Sequence, residues 1–194
     1  DFFEAQMEQT VREMPAGGLL SVYTITEDPA ESRKPLIEVC KPRDGSDANA
    51  LTENERKMQK RFKKSFAEPV RQLVDELAAA RSPGEASPIM EAIQFVSVNS
   101  FKKRDVQGER RLILFSDMLQ NTKAFSLYES SPSIERFKKS DYAAQTKTYL
   151  PGVDVSLYYF ATRPELQGYP NVDFWKAYFK GAQARVDTVV PVGK

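Results

Sequence analysis

Ser116 and Asp117 close the stretch Arg110-Arg111-Leu112-Ile113-Leu114-Phe115-Ser116-Asp117, where four large apolar residues give way to a hydroxyl and a carboxylate. Adjacent oxygens of this kind can receive a ligand's hydrogen bonds, ligate a hard cation, or cap the loop that follows a strand. Ser87 and Thr162 offer further hydroxyls for the same work. The chain has no histidine, which excludes Ser-His-Asp and Cys-His catalysis by this chain alone. Ser116 therefore reads as a polar strand terminator and not as a nucleophile. One cysteine and no histidine leave only carboxylates for zinc, so any metal is expected to be a hard ion held by oxygen, magnesium or calcium. A second group is basic: Arg56, Lys57, Lys60, Arg61, Lys63 and Lys64 interleave with Met58 and Phe62 at helical spacing. This run reads as the solvated face of an amphipathic helix, or as a patch for phosphate or an acidic partner, diluted by Glu53 and Glu55.

The elements that must position these residues follow from apolar periodicity. Four consecutive apolar residues at 112–115 fit a strand buried on both faces, as in a parallel sheet covered by helices. Ligands of such sheets bind beyond the carboxyl ends of the strands, which is where Ser116 and Asp117 would sit. Residues 2–14 predict an amphipathic helix, 19–26 a strand, and 35–39 a short strand suited to an edge because Pro35 cannot donate to a ladder. Residues 52–80 give the longest helical pattern, with Thr52 and Glu55 as a capping box and Pro69 expected to kink the helix or split it in two. Residues 82–84 read as a break. Ser87 is expected to cap the next helix with Pro88 at its first position, and Ile89, Ala92, Ile93 and Val96 as its buried stripe. Ser133 is expected to cap a helix reaching about Gln145, with Ile134, Phe137 and Ala144 inward. Residues 153–160 form a strong strand. Asn171 is expected to cap a helix whose inner face is Trp175, Tyr178, Phe179 and Ala182, and 188–192 form the last strand. Cys40 reads as a buried strand thiol.

The totals bound the class. A chain of 194 residues with twelve Phe, eight Tyr and one Trp suits one ordered domain. A net charge of +1 gives no global reason to expect a nucleic-acid or membrane partner. No apolar run approaches the roughly 20 residues of a membrane span, and no signal peptide is visible, so a soluble chain of unknown compartment is expected. Asp1 could be a processed or trimmed end. Strands alternating with helices predict a doubly wound α/β fold: a mainly parallel sheet, helices on both faces, one antiparallel edge strand. Residues 1–194 are expected to form a single domain with a helical insertion at about 43–82.

Three segments carry a resemblance: Ser87-Pro88-Ile89-Met90-Glu91-Ala92-Ile93, Arg111 to Asp117, and Gly152-Val153-Asp154-Val155-Ser156-Leu157-Tyr158-Tyr159-Phe160. Together they resemble the von Willebrand factor A (VWA) domain, in which a Thr precedes an Ala-Ile helix, one strand ends in Thr-Asp-Gly and another begins Gly-Val-x-Val. Ser87 stands at the Thr position, Ser116-Asp117 at Thr-Asp, and Met118 replaces the Gly. The resemblance implies a magnesium site to which Ser87 and Asp117 would contribute, with a partner carboxylate completing its shell. The family's Asp-x-Ser-x-Ser loop has no match here. It would end a first strand upstream of Asp1, and such a strand could precede this chain, come from a partner, or be dispensed with by a rearranged sheet.

The function expected is a non-catalytic module that binds a protein, with or without the help of a metal, through a rim containing Ser87, Ser116, Asp117 and Thr162. The alternatives are a metal-dependent hydrolase or phosphate-handling enzyme using Asp117 and Asp154, and a nucleic-acid-associated protein using the basic helix at 52–64.

Overall fold

The computed structural model describes residues 2–49, 51–80, 86–103, 108–128 and 132–192. The break expected at 82–84 lies outside them. The chain is a mixed α/β protein that divides into two compact units, residues 1–24 with 34–83, and residues 25–33 with 84–194. Among the described residues no helix is long and apolar enough to cross a membrane.

The first unit holds α1 (Phe2–Glu13), the antiparallel pair β1 (Leu19–Val22) and β2 (Ile37–Cys40), α3 (Glu55–Phe62), a π-helical turn (Lys63–Ala67) and α4 (Glu68–Ala79). The strand expected over 19–26 stops at Val22. Its partner begins at Ile37, just after Leu36 donates its N–H to the Val22 carbonyl, and Pro35 has no N–H to extend the ladder. Along β2, Ile37 and Val39 turn inward while Glu38 and Cys40 turn out, so the Cys40 thiol is exposed and not buried as expected. α3 begins three residues later than the expected pattern, because Asn54 and not Thr52 caps it: the Asn54 side chain accepts from the Lys57 N–H at 3.0 Å. Pro69 lies in the first turn of α4, where its missing N–H costs little, and the π-helical turn before it takes up the break. Phe66 is fully buried, with the Phe62 ring centroid 5.7 Å from its own.

The second unit holds a short α2 (Pro29–Ser32), α5 (Ile89–Val96) with a π-helical extension (Ser97–Lys102), β3 (Arg110–Ser116), α6 (Ile134–Lys138), α7 (Asp141–Gln145), β4 (Val153–Phe160), α8 (Tyr169–Gly181) and β5 (Arg185–Val192). β3, β4 and β5 form a three-stranded parallel sheet with β4 in the middle. One face sends in Leu112 and Leu114 from β3 and Val153, Val155, Leu157 and Tyr159 from β4, where they meet Ile89 and Ile93 of α5, Phe137 of α6, Tyr142 of α7, and Phe174, Trp175, Tyr178 and Phe179 of α8. The other face carries Phe115 stacked on Tyr158 at 4.8 Å, with Phe160 partly exposed beside them.

Helix boundaries correct three expectations. The helix predicted from Ser133 to Gln145 is two short helices, because Ser140 starts a second cap: Ser133 accepts from the Arg136 N–H and Ser140 from the Ala143 N–H, each at 3.2 Å. Tyr142, not Ala144, turns inward there. Asn171 is no cap; α8 starts at Tyr169, and Asn171 is a buried first-turn residue that accepts from the Tyr159 hydroxyl at 3.1 Å. α8 ends in a Schellman turn, with Gln183 N–H bonded to the Lys180 carbonyl and Ala184 N–H to that of Phe179. That turn holds Gln183 at φ 63, a left-handed backbone position where glycine is the usual occupant.

Three phenols sit in this core, and burial pushes Tyr142, Tyr159 and Tyr178 well above the ordinary tyrosine range. A group whose folded-state pKa lies above its unfolded value binds protons in the native state that the unfolded chain releases. Its contribution is complete below the unfolded value, near 10, and is lost as pH rises toward the folded value. Stability is therefore expected to hold below pH ~10 and to fall above it, by about 1.4 kcal/mol per pH unit for each phenol that only the unfolded chain ionises. Urea midpoints measured on both sides of pH ~10 check this, and equal midpoints would contradict the burial.

Candidate functional site at the carboxyl edge of the parallel sheet

β3 ends at Ser116, opposite Tyr159 of β4. The chain then folds back through two local turns. The Ser116 hydroxyl accepts from the Met118 N–H at 3.0 Å, and the Asp117 carboxylate accepts from the Leu119 N–H at 3.0 Å. Met118 takes φ 57, a left-handed conformation that a non-glycine residue adopts at a cost of about 1–2 kcal/mol. Its side chain is fully buried, and its carbonyl accepts from the Trp175 indole N–H at 2.8 Å and from the Asn171 amide at 3.3 Å. These contacts hold the turn and leave Asp117 half-buried at the sheet edge.

The loop after β4 reaches the same point. Thr162 donates its hydroxyl proton to the second Asp117 oxygen at 3.2 Å. Gln167 fastens this loop: its amide donates to the carbonyls of Asp117 at 2.9 Å and Phe160 at 2.6 Å, while its side-chain oxygen accepts from the Arg163 N–H at 2.8 Å. The Arg163 guanidinium lies over the Tyr128 ring, 5.5 Å from its centre. Burial raises the Tyr128 phenol above its usual range, the Asp117 charge adds to the rise, and Arg163 opposes it. The rim thus gathers a carboxylate and a phenol from the connection after β3, and a threonine hydroxyl and a guanidinium from the loop after β4.

Ser87 enters differently from expectation. α5 begins at Ile89, with Pro88 at its cap position and no side-chain cap. Ser87 instead forms a backbone bridge with Asn121, N–H to carbonyl both ways at 2.9 and 3.1 Å, which ties the start of α5 to the loop beyond Asp117. The capping work falls to Gln120, which is fully buried. Its side-chain oxygen accepts from the Met90 N–H at 2.9 Å, and its amide donates to the Tyr142 hydroxyl at 2.7 Å and to Glu91 at 3.3 Å. Every buried side-chain nitrogen and oxygen among the described residues has a hydrogen-bond partner. Gln120 and Gln167 carried no sequence signal, because Gln120 bonds to residues 22 to 30 positions away and Gln167 to Asp117, 50 positions away, as well as to near ones.

Ser87 and Asp117, the residues expected at a magnesium site, offer one hydroxyl and one carboxylate. Both Asp117 oxygens already accept hydrogen bonds, and among the described residues no three side chains of the Asp, Glu, His or Cys types are grouped to hold a metal ion. Asp154 cannot join Asp117. It pairs with Arg111 at the amino end of β4 and holds Arg185 at 2.8 Å, whereas Asp117 follows Ser116, whose partner is Tyr159. Five residues of strand separate the two positions, roughly 17 Å at the usual rise. The shared metal centre of the hydrolase alternative is thereby corrected. The basic residues Arg56, Lys57, Lys60, Arg61, Lys63 and Lys64 belong to the first unit and are all exposed. No protein-family model, curated protein or solved structure matches the chain.

Proposed function

We propose that this chain is a VWA-like, doubly wound α/β module that binds a protein partner through the rim of Asp117, Thr162, Ser116 and Ser87 without catalysis. The observation that carries the reading is the 3.2 Å bond joining Asp117 to Thr162, which brings the loops after β3 and β4 to one polar point beyond the strand ends. The parallel order of β3, β4 and β5 supports it. So does Met118, whose left-handed backbone falls where the family carries glycine. Arg163 and Tyr128 extend the rim with a cation and a ring, residue types enriched in the anchors of protein interfaces.

The test begins with proteins that co-purify with the full chain and follows one of them by calorimetry. Asp117→Asn keeps an acceptor for the Leu119 N–H but removes the charge, and is expected to weaken binding about tenfold, or ~1.4 kcal/mol. Thr162→Val is expected to weaken it several-fold, and Lys176→Ala, on the exposed side of α8, to leave it unchanged. Unchanged affinity in Asp117→Asn would remove the rim from the interface.

A further inference from the structure

The cationic face of the first unit is left unexplained by the rim. Arg56, Lys57, Lys60 and Arg61 lie on α3, and Lys63 and Lys64 on the π-helical turn that continues it. At 3.6 residues per turn the six fall within about 160° of arc, opposite Met58, Phe62 and Phe66. All six are exposed, and among the described residues none has a side-chain hydrogen bond or ion pair. None of the nearby acids is paired with them among the described residues: Glu53 is held by Arg43 at 2.6 Å, Glu55 accepts from Gln59, Asp44 accepts from the Ser46 hydroxyl, and Glu68, one turn beyond Lys64, makes no ion pair. The arrangement opposes helix stability. Lys60 follows Arg56, Arg61 follows Lys57 and Lys64 follows Lys60 at four-residue spacing, where like charges repel, and Arg56 and Lys57 occupy the first turn, where the helix dipole disfavours cations. An anionic partner would relieve both.

We propose that this face docks the phosphate backbone of double-stranded nucleic acid without sequence preference. Residues 56–64 span about 12 Å of helix, a length over which a duplex presents about seven phosphate charges, close to the six cations. The outward half of the helix is a polar rod of a size that a major groove admits. A lipid surface is the poorer match, because an interfacial helix needs an apolar face to insert, and here Phe66 is fully buried with Phe62 and Met58 half-buried beside it. The inference concerns a different unit from the rim and does not depend on it.

The full chain is titrated against a labelled mixed-sequence DNA duplex by fluorescence anisotropy. With four to six phosphates neutralised, affinity is expected to fall about 10²–10³-fold between roughly 50 and 200 mM salt. The triple variant K60Q/R61Q/K64Q is expected to bind more weakly at low salt, with a log–log salt slope shallower by about 2.7. K176Q/K180Q, which removes two exposed cations of α8, keeps the wild-type slope. No duplex binding at low salt, an unchanged slope in the triple variant, or an equal loss in the α8 control overturns the proposal. Binding to phosphatidylserine vesicles without binding to the duplex also overturns it.

Discussion

Replacing Trp175 by alanine is expected to destabilise the parallel-sheet unit by about 3–5 kcal/mol, the range for truncating a buried aromatic. Trp175 is fully buried, and its ring meets Tyr178 edge-on at 5.3 Å, Phe174 at 5.8 Å and Phe179 at 6.1 Å. It also bonds the Met118 carbonyl, so the loss reaches the turn that presents Asp117. Trp175→Phe separates the two contributions. It keeps most of the packing and leaves the Met118 carbonyl with Asn171 at 3.3 Å, so about 1–2 kcal/mol is expected. Both variants remove the chain's one tryptophan, so the urea transition is followed by circular dichroism. Equal costs for the two would mean that the hydrogen bond, and not the packing, dominates.

The reach of sequence reasoning follows from which forces are local. β4 reads directly because its apolar residues alternate and turn to one buried face, and the inner stripe of α8 reads directly because it repeats at helical spacing. The position of Asp117 just past a strand end also follows from pattern, since four apolar residues followed by Ser-Asp mark where burial stops. What eluded the pattern depends on partners distant in sequence. Cys40 turned outward because the pairing of β2 with β1 decides which face is inner, and a four-residue strand is too short for its own composition to say so. Asn171 resembles a cap in type and place, yet two groups from other elements claim its side chain. The convergence of Thr162 on Asp117 across 45 positions is a product of sheet register, which the order of elements implies only in outline.

Gln120 is the sharper case, and its loss is the second large effect expected. A buried glutamine in an irregular loop looks expendable by composition, yet it supplies the acceptor that α5 does not find locally and joins that helix to Tyr142 and Glu91. Gln120→Leu preserves volume but strips a partner from the Met90 N–H, inside a residue that is fully buried, and one from the Tyr142 hydroxyl. Each buried donor or acceptor left without a partner costs about 1–3 kcal/mol, so a total of roughly 2–4 kcal/mol is expected in urea unfolding. Gln120→Glu tests the same geometry through charge. It restores the acceptor for Met90 but places a second carboxylate beside Glu91, whose oxygen lies 3.3 Å from the amide that it replaces. Burial and like charge raise such a carboxyl in the folded state above its unfolded value, near 4.3, so its support is complete at lower pH and is lost as pH rises. The Glu variant should therefore approach wild-type stability in acid and fall away from it toward neutrality, while the Leu variant stays low throughout. Parallel pH profiles for the two would show that Gln120 acts by volume alone, and that the start of α5 is held by something other than this hydrogen bond.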